Sequence, residues 1–171
     1  GLGSDVPFFI EGGTALVRGA GERIEHMDLP GEMYFVVVFP GFGISTAAVY
    51  KNLNLKLTGE KRNVKVLWDL MSTGKLDAAR EEFFNRLEKT AIGLDDRLGK
   101  FKLLMSGQTG GTPVMVSGSG SSLFSAFADE DKALRAFEAL KAAVPGERYF
   151  AHSVERRASA AHPKGDNGGD F

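Results

Sequence analysis

The central stretch of the sequence is Val116-Ser117-Gly118-Ser119-Gly120-Ser121-Ser122, which lies between two apolar segments, residues 112–115 and 123–127. The two segments predict strands joined by this stretch, which we call the glycine–serine loop. Glycines have no Cβ, so the backbone can turn sharply and converge its N–H groups on an anion, to which serine hydroxyls add donors. The loop is therefore a candidate phosphate site. An ordinary tight connection between strands is the alternative.

The residues on either side of the loop predict the fold. Before it come a continuous apolar strand, a short helix and three helical stretches, predicted over residues 33–39, 46–50, 64–71, 76–87 and 92–104. After it come a strand, an amphipathic helix and a strand, predicted over residues 123–127, 129–144 and 148–154. This order is the ferredoxin-like α+β pattern, an antiparallel sheet with helices packed on one face.

Composition and charge restrict the possible partners. The 171 residues are 43% hydrophobic, enough for a sizeable core, and 21 Lys+Arg against 22 Asp+Glu leave a net charge of −1. This balance gives no reason to expect a nucleic acid or an anionic membrane as partner. There is no cysteine, and the three histidines are scattered, so no metal cluster is predicted. Without a candidate membrane span or signal peptide, we expect a cytoplasmic protein.

Asp5 is the first candidate for chemistry. It precedes Pro7 and the apolar residues 8–10, which we expect either to be buried or to cover another part of the protein, and the sequence opens inside this dense motif without an initiator methionine. We therefore expect the chain to be part of a longer protein. A carboxylate beside an apolar wall can serve as a base for a hydroxyl proton. An N-cap at the start of a turn is the alternative.

Thr46 and Tyr50 form a second candidate site. Ser45 or Thr46 is predicted to cap a short helix, and the spacing of four puts the Thr46 hydroxyl and the Tyr50 ring on one helix face. A hydroxyl beside a ring can hydrogen-bond and stack a flat heterocycle. The alternative is a helix cap together with a core aromatic residue.

Several motifs occur in the order found in one protein family. They are Leu2-Gly3-Ser4-Asp5-Val6-Pro7-Phe8-Phe9, Gly12-Gly13-Thr14-Ala15, Pro40-Gly41, Ser45-Thr46, Val49-Tyr50, Asn85-Arg86-Leu87-Glu88, and Ser117-Gly118-Ser119-Gly120 with Phe124. Together they resemble the GHMP kinases, and most closely the C-terminal two-thirds of the member that acts on a cytidine diphosphate alcohol. The resemblance implies that residues 1–30 end an N-terminal domain and that residues 31–154 are a ferredoxin-like C-terminal domain. Residues 155–171 are polar and rich in alanine and glycine, a composition that predicts a disordered tail.

The resemblance also implies a reaction and its residues. The reaction is ATP-dependent phosphorylation of the 2-hydroxyl of a cytidine diphosphate erythritol in non-mevalonate isoprenoid synthesis, with Mg²⁺ accompanying ATP. Asp5 falls on the catalytic aspartate, and such a base is worth roughly 10²–10⁴ in rate. Thr46 and Tyr50 fall on positions that hold the cytosine, and Ala20 falls in a stretch near the same nucleotide. Ser117, Gly118, Ser119 and Gly120 fall on a motif that borders the phosphates.

The chain also departs from the family pattern. The main ATP-binding loop and the lysine that partners the aspartate lie upstream in the family and are absent here, so the fragment is expected to be inactive alone. Arg86 replaces the acidic residue expected after Asn85. Two alternatives remain: another GHMP kinase for a small alcohol, which should lack the Thr46 and Tyr50 pair, and a non-catalytic ferredoxin-like binding module. No oligomeric state is predicted, and the glycine-rich residues 106–113 have no assigned role.

Overall fold

The computed structural model describes residues 6–19, 21–53 and 63–152. Asp5, Ala20 and the predicted tail over residues 155–171 lie outside this part of the chain, as does most of the polar segment after residue 53. The described residues fall into two compact units, the first ending at Leu29 and the second beginning at Pro30. No described helix is both long and apolar enough to cross a membrane.

The first unit contains a short helix and a hairpin. Helix α1 (Val6–Glu11) precedes strands β1 (Thr14–Arg18) and β2 (Arg23–Met27), which pair antiparallel. Burial of residues 8–10 is wrong for Phe9 and Ile10, which are 77% and 75% exposed, whereas the expected covering role stays a prediction. Successive side chains of a helix point about 100° apart, so one contact face cannot cover three consecutive residues.

The second unit is built on a four-stranded antiparallel sheet. Its strands are β3 (Tyr34–Phe39), β4 (Met115–Val116), β5 (Leu123–Phe127) and β6 (Glu147–His152), and they are arranged in the order β4-β5-β3-β6. Strand β3 is internal, as its continuous apolar sequence predicts. Strand β3, the first of this unit along the chain, lies between β5 and β6, the third and the fourth. This is the ferredoxin-like strand order.

Six helices accompany the sheet in the part of the chain that the structure describes. They are α2 (Thr46–Asn52), α3 (Val64–Ser72), α4 (Leu76–Glu81), α5 (Glu88–Leu94), α6 (Asp96–Ser106) and α7 (Glu130–Ala143). Two predicted helices have the wrong extent. The helix predicted over residues 76–87 ends at Glu81, and the one predicted over residues 92–104 is divided at Asp95. Asp95 has extended backbone angles, φ −145° and ψ 103°, and its carboxylate caps α6 by accepting from Arg97 N.

The main core lies on one face of this sheet. Val36 and Val38 of β3 share that face with Leu123 and Phe127 of β5, as the strand register requires. Against them pack buried residues of α2, α5, α6 and α7, namely Val49, Ala91, Leu98, Met105, Ala133, Ala136 and Leu140. The predicted α+β fold with helices on one face of an antiparallel sheet is therefore confirmed.

The glycine-rich residues 106–113 form a compact turn between α6 and β4. Thr109 is buried at its centre, and its hydroxyl donates to Thr112 O at 2.7 Å. Gly110 and Gly111 have φ of +61° and +85°, a region that favours glycine. The turn thus satisfies its own buried polar groups while directing the chain into the sheet.

Candidate functional site

Helix α2 presents the candidate base-binding pair. Ser45 is its N-cap, since the Ser45 hydroxyl accepts from Ala48 N at 3.3 Å, so the predicted start is confirmed. The fully buried Val49 anchors the helix in the core, whereas Thr46 and Tyr50 are exposed. Tyr50 is 60% exposed, so the alternative of a core aromatic is wrong.

The glycine–serine loop is a tight connection between β4 and β5. Ser117 N donates to Ser122 O at 2.8 Å, and Gly120 N donates to Ser117 O at 3.0 Å. Gly118 and Gly120 have φ of +56° and +86°. A Cβ on Gly120 would lie 3.3 Å from Val116 Cγ1, whereas a Cβ on Gly118 would meet nothing within 4 Å. The base of the loop is therefore packed against the core, and its tip is open.

Two contacts join this loop to the segment that begins α2. Thr46 Oγ1 and Ser119 Oγ lie 2.8 Å apart, although 73 positions separate them in the sequence. The buried Ser121 hydroxyl donates to Phe42 O. The structure thus brings the candidate cytosine-binding residue Thr46 to the candidate phosphate loop, and the exposed Tyr50 ring lies one helical turn further along α2.

Arg97 and Asp95 support the segment before α2. The Arg97 guanidinium lies 4.2 Å from the centroid of the Phe42 ring, a cation–π geometry. Arg97 Nε also donates to Asp95 Oδ1 at 2.9 Å. This hydrogen bond lowers the pKa of Asp95 and raises the pKa of Arg97. Sequence reasoning missed this group, because nothing local in the sequence links Phe42 to residues fifty positions later.

The Asp95→Ala variant is expected to lower the free energy of unfolding by about 1 kcal/mol, the usual effect of losing an N-cap. Because the pKa of Asp95 is lowered in the folded protein, its carboxylate stabilises the fold above the unfolded pKa of about 3.9. That contribution is lost as the pH falls through the folded pKa. Urea denaturation at pH 7 and near pH 2 should show the difference between variant and wild type shrinking in acid.

The neighbouring Asp96 provides the control for this prediction. It is exposed and pairs with Lys100 at 2.6 Å within one helix, an interaction worth only tenths of a kcal/mol. Asp96→Ala should therefore change stability by less than about 0.5 kcal/mol. Equal effects of the two substitutions would contradict a capping role for Asp95.

Asn85 and Glu88 hold the glycine–serine loop from outside the sheet. Asn85 Nδ2 donates to Val116 O and to Gly118 O, both at 2.7 Å. Glu88 Oε2 accepts from Val116 N at 2.9 Å, and its other oxygen bonds to Lys102 Nζ. The motif over residues 85–88 carries part of the family resemblance, but its spacing alone could not indicate which backbone groups it would contact.

The remaining site predictions cannot be placed. Asp5 and Ala20 lie outside the described residues, and their roles stay predictions. Gly19 and Gly21, on either side of Ala20, have φ of +69° and +98° in the connection between β1 and β2. Among residues 6–19, 21–53 and 63–152, no three His, Cys, Asp or Glu side chains gather as metal ligands.

Known proteins resemble this chain over most of its length. No protein-family model matches it. Over 143 residues it is 41% identical to 4-diphosphocytidyl-2-C-methyl-D-erythritol kinase of Geobacter sulfurreducens, covering 82% of the chain and 48% of that relative. The chain is similar to this kinase. The kinase of the same name from Clostridium perfringens is 38% identical over 140 residues, with the same coverages of 82% and 48%. The chain thus spans about half the length of the curated relatives it matches.

Solved structures give the same result. A crystal structure of 4-(cytidine 5'-diphospho)-2C-methyl-D-erythritol kinase superposes with a TM-score of 0.71 at 33% identity, covering 88% of this chain and 53% of that one. Homoserine kinase from Cytophaga hutchinsonii has a TM-score of 0.69 at 17% identity, covering 88% and 51%, which shows a shared fold. The predicted resemblance to 4-diphosphocytidyl-2-C-methyl-D-erythritol kinase, a GHMP kinase, is confirmed.

Proposed function

We propose that the full-length protein transfers the γ-phosphoryl group of ATP to the 2-hydroxyl of 4-diphosphocytidyl-2-C-methyl-D-erythritol, a step of non-mevalonate isoprenoid synthesis. The similarity to kinases of that name supports the proposal. The observation that carries it is the 2.8 Å contact between Thr46 and Ser119, which joins a base-binding surface to a candidate phosphate loop. A cytidine diphosphate has the same two parts, a flat base and a phosphate chain.

Within this proposal, helix α2 binds the cytosine. The exposed Tyr50 ring offers a face for stacking, and the Thr46 hydroxyl offers a donor or an acceptor to the base edge. The glycine–serine loop supplies N–H and hydroxyl donors to a phosphate, with its tip open around Gly118. Phosphoryl transfer depends mainly on such positioning and charge stabilisation.

The same proposal assigns the chemistry to the opening of the chain. Asp5 accepts the proton of the substrate hydroxyl while the hydroxyl oxygen attacks the γ-phosphorus of ATP. The bond between the γ-phosphorus and the oxygen that bridges it to the β-phosphate breaks, and ADP is released. Residues 1–30 end the N-terminal domain, with Ala20 near the nucleotide, and residues 31–154 form the C-terminal domain. Mg²⁺ accompanies ATP and neutralises phosphate charge, but no described residue is assigned as its ligand. A cytoplasmic location belongs to the same proposal.

Calorimetric titration with cytidine diphosphate tests the base-binding pair. Tyr50→Ala should weaken binding roughly 5- to 150-fold, because stacking a base on an aromatic ring is worth about 1–3 kcal/mol. Thr46→Ala should weaken it about 2- to 10-fold, the effect of one hydrogen bond. The controls are Tyr50→Phe and Thr46→Ser, which keep the ring and the hydroxyl and should bind almost as wild type. Undiminished binding by Tyr50→Ala would contradict the assignment of α2.

A coupled assay of ADP release tests the reaction itself. The full-length protein should release ADP with 4-diphosphocytidyl-2-C-methyl-D-erythritol and not with homoserine or mevalonate, the small alcohols of two other kinases with this fold. Turnover of homoserine or mevalonate instead would support a kinase activity but contradict the proposed substrate. No turnover of any of the three alcohols would contradict the proposed activity.

A further inference from the structure

Strand β4 is a two-residue edge strand, and no strand among the described residues pairs with its outer side. Its residue Val116 pairs with Leu123, and the next N–H, that of Ser117, donates across to Ser122 O. Because backbone groups along a strand point alternately to its two sides, the N–H and C=O of Val116 are directed outward. Asn85 donates to Val116 O and Glu88 accepts from Val116 N, so these two side chains take the place of a neighbouring strand.

The Asn85 side chain also fixes the direction of two peptide planes. In a trans peptide, the C=O and the following N–H point in opposite directions. Val116 O bonds to Asn85 on one side, and Ser117 N accordingly donates to Ser122 O on the other. Gly118 O bonds to the same Asn85 amide, so the N–H of Ser119 must also point away from Asn85.

The Ser119 N–H is a donor that this arrangement leaves available. No acceptor for it is found among residues 6–19, 21–53 and 63–152. The neighbouring Gly118 has a positive φ, and no atom lies within 4 Å of the position that a Cβ would occupy there. Packing around Gly118 therefore does not set the orientation of the Gly118–Ser119 peptide. The Asn85 hydrogen bond to Gly118 O is the contact on the carbonyl side of this peptide, and it holds the Ser119 N–H in the opposite direction.

We propose that Asn85, supported by Glu88, is a positioning residue that orients the glycine–serine loop so that Ser119 N–H donates to a nucleotide phosphate. This inference rests on the proposed function. Glu88 fixes the start of the loop through Val116 N, and Lys102 holds the Glu88 carboxylate in place. The phosphate belongs either to the cytidine diphosphate substrate or to ATP, two sources with the same chemistry.

The test separates phosphate recognition from general stability. In the full-length protein, calorimetry gives dissociation constants for cytidine diphosphate and cytidine, and for ATP and adenosine. Within each pair, the dissociation constant of the nucleoside divided by that of the nucleotide measures what the phosphates add to binding. We expect Asn85→Asp to reduce one of the two ratios at least about 10-fold, the effect of losing one hydrogen bond to a charged group. The pair that responds identifies the source of the phosphate.

Asn85→Asp is chosen because it preserves the local role of the side chain. Asn85 Oδ1 accepts from Leu87 N at 2.9 Å, and an aspartate oxygen can do the same. The substitution replaces only the amide group that donates to the two carbonyls. Should this variant fold poorly, Glu88→Gln keeps the size of its side chain and should reduce the same ratio to a smaller degree.

Asn63→Asp is the matched control. The Asn63 side chain likewise caps a local turn by accepting from Lys65 N at 3.0 Å, and no described carbonyl accepts from it. The Asn63→Asp substitution changes the charge of the protein by the same amount as Asn85→Asp and should leave both ratios unaltered. If Asn85→Asp weakens nucleoside and nucleotide equally, or leaves the phosphate preference intact, the positioning role is refuted while the kinase proposal stands. A wild-type protein without phosphate preference would overturn both.

Discussion

The Asp5→Asn variant of the full-length protein is expected to lower kcat by about 10²–10⁴, the usual effect of removing a general base. Asparagine has nearly the same shape as aspartate, so it preserves packing, but its amide cannot accept the proton of the substrate hydroxyl. Because the base acts in the transition state, kcat/KM should fall with kcat, and KM for either substrate should change little. Steady-state measurement of ADP release at saturating ATP provides the numbers.

Asp28→Asn serves as the control for Asp5. Asp28 is exposed just after β2, and its substitution changes the charge of the protein by the same amount. It should leave kcat within about twofold of wild type, since surface substitutions away from a site rarely matter. If Asp5→Asn keeps a tenth or more of the wild-type kcat, the aspartate is not the base. It would then have the capping role that the sequence also allows.

The elements that depend on local sequence could be predicted. The continuous β-branched run of β3, the Ser45 cap of α2 and the apolar periodicity of α7 all form where the pattern indicates. The strand order β4-β5-β3-β6 could also be predicted, because the sequence of strands and helices along the chain allows an antiparallel sheet only a few topologies. The predictions of β3, of the Ser45 cap and of α7 rest on interactions between residues close together in the chain.

The contacts that shape the candidate site join residues far apart in the chain, and no periodicity encodes them. Thr46 meets Ser119 across 73 positions of the sequence, and Asn85 meets Gly118 across 33. The break at Asp95 was missed for a different, local reason. An aspartate within an apolar helical pattern does not show whether its carboxylate turns to solvent or caps a new helix. The sequence left two roles open for Tyr50, base binding and a place in the core, and its exposure excludes the core.

Leu98→Ala is expected to lower the free energy of unfolding by about 2–5 kcal/mol, the range for truncating a fully buried leucine. Leu98 is completely buried on α6, and its Cδ2 lies 3.4 Å from the position that a Cβ on Gly120 would occupy. The substitution therefore opens a cavity directly beneath the glycine–serine loop. Urea denaturation followed by circular dichroism gives the change, with the midpoint falling and the slope of the transition preserved.

Leu103→Ala on the same helix is the control, because Leu103 is 75% exposed and loses the same atoms. Its expected effect is within about 0.5 kcal/mol, since those atoms are already largely in water. The two variants together test whether α6 packs with its Leu98 face inward, beneath the loop. A larger loss for Leu103 than for Leu98 would mean that the helix is rotated, and the packing that supports the base of the loop at Gly120 would have to be reassigned.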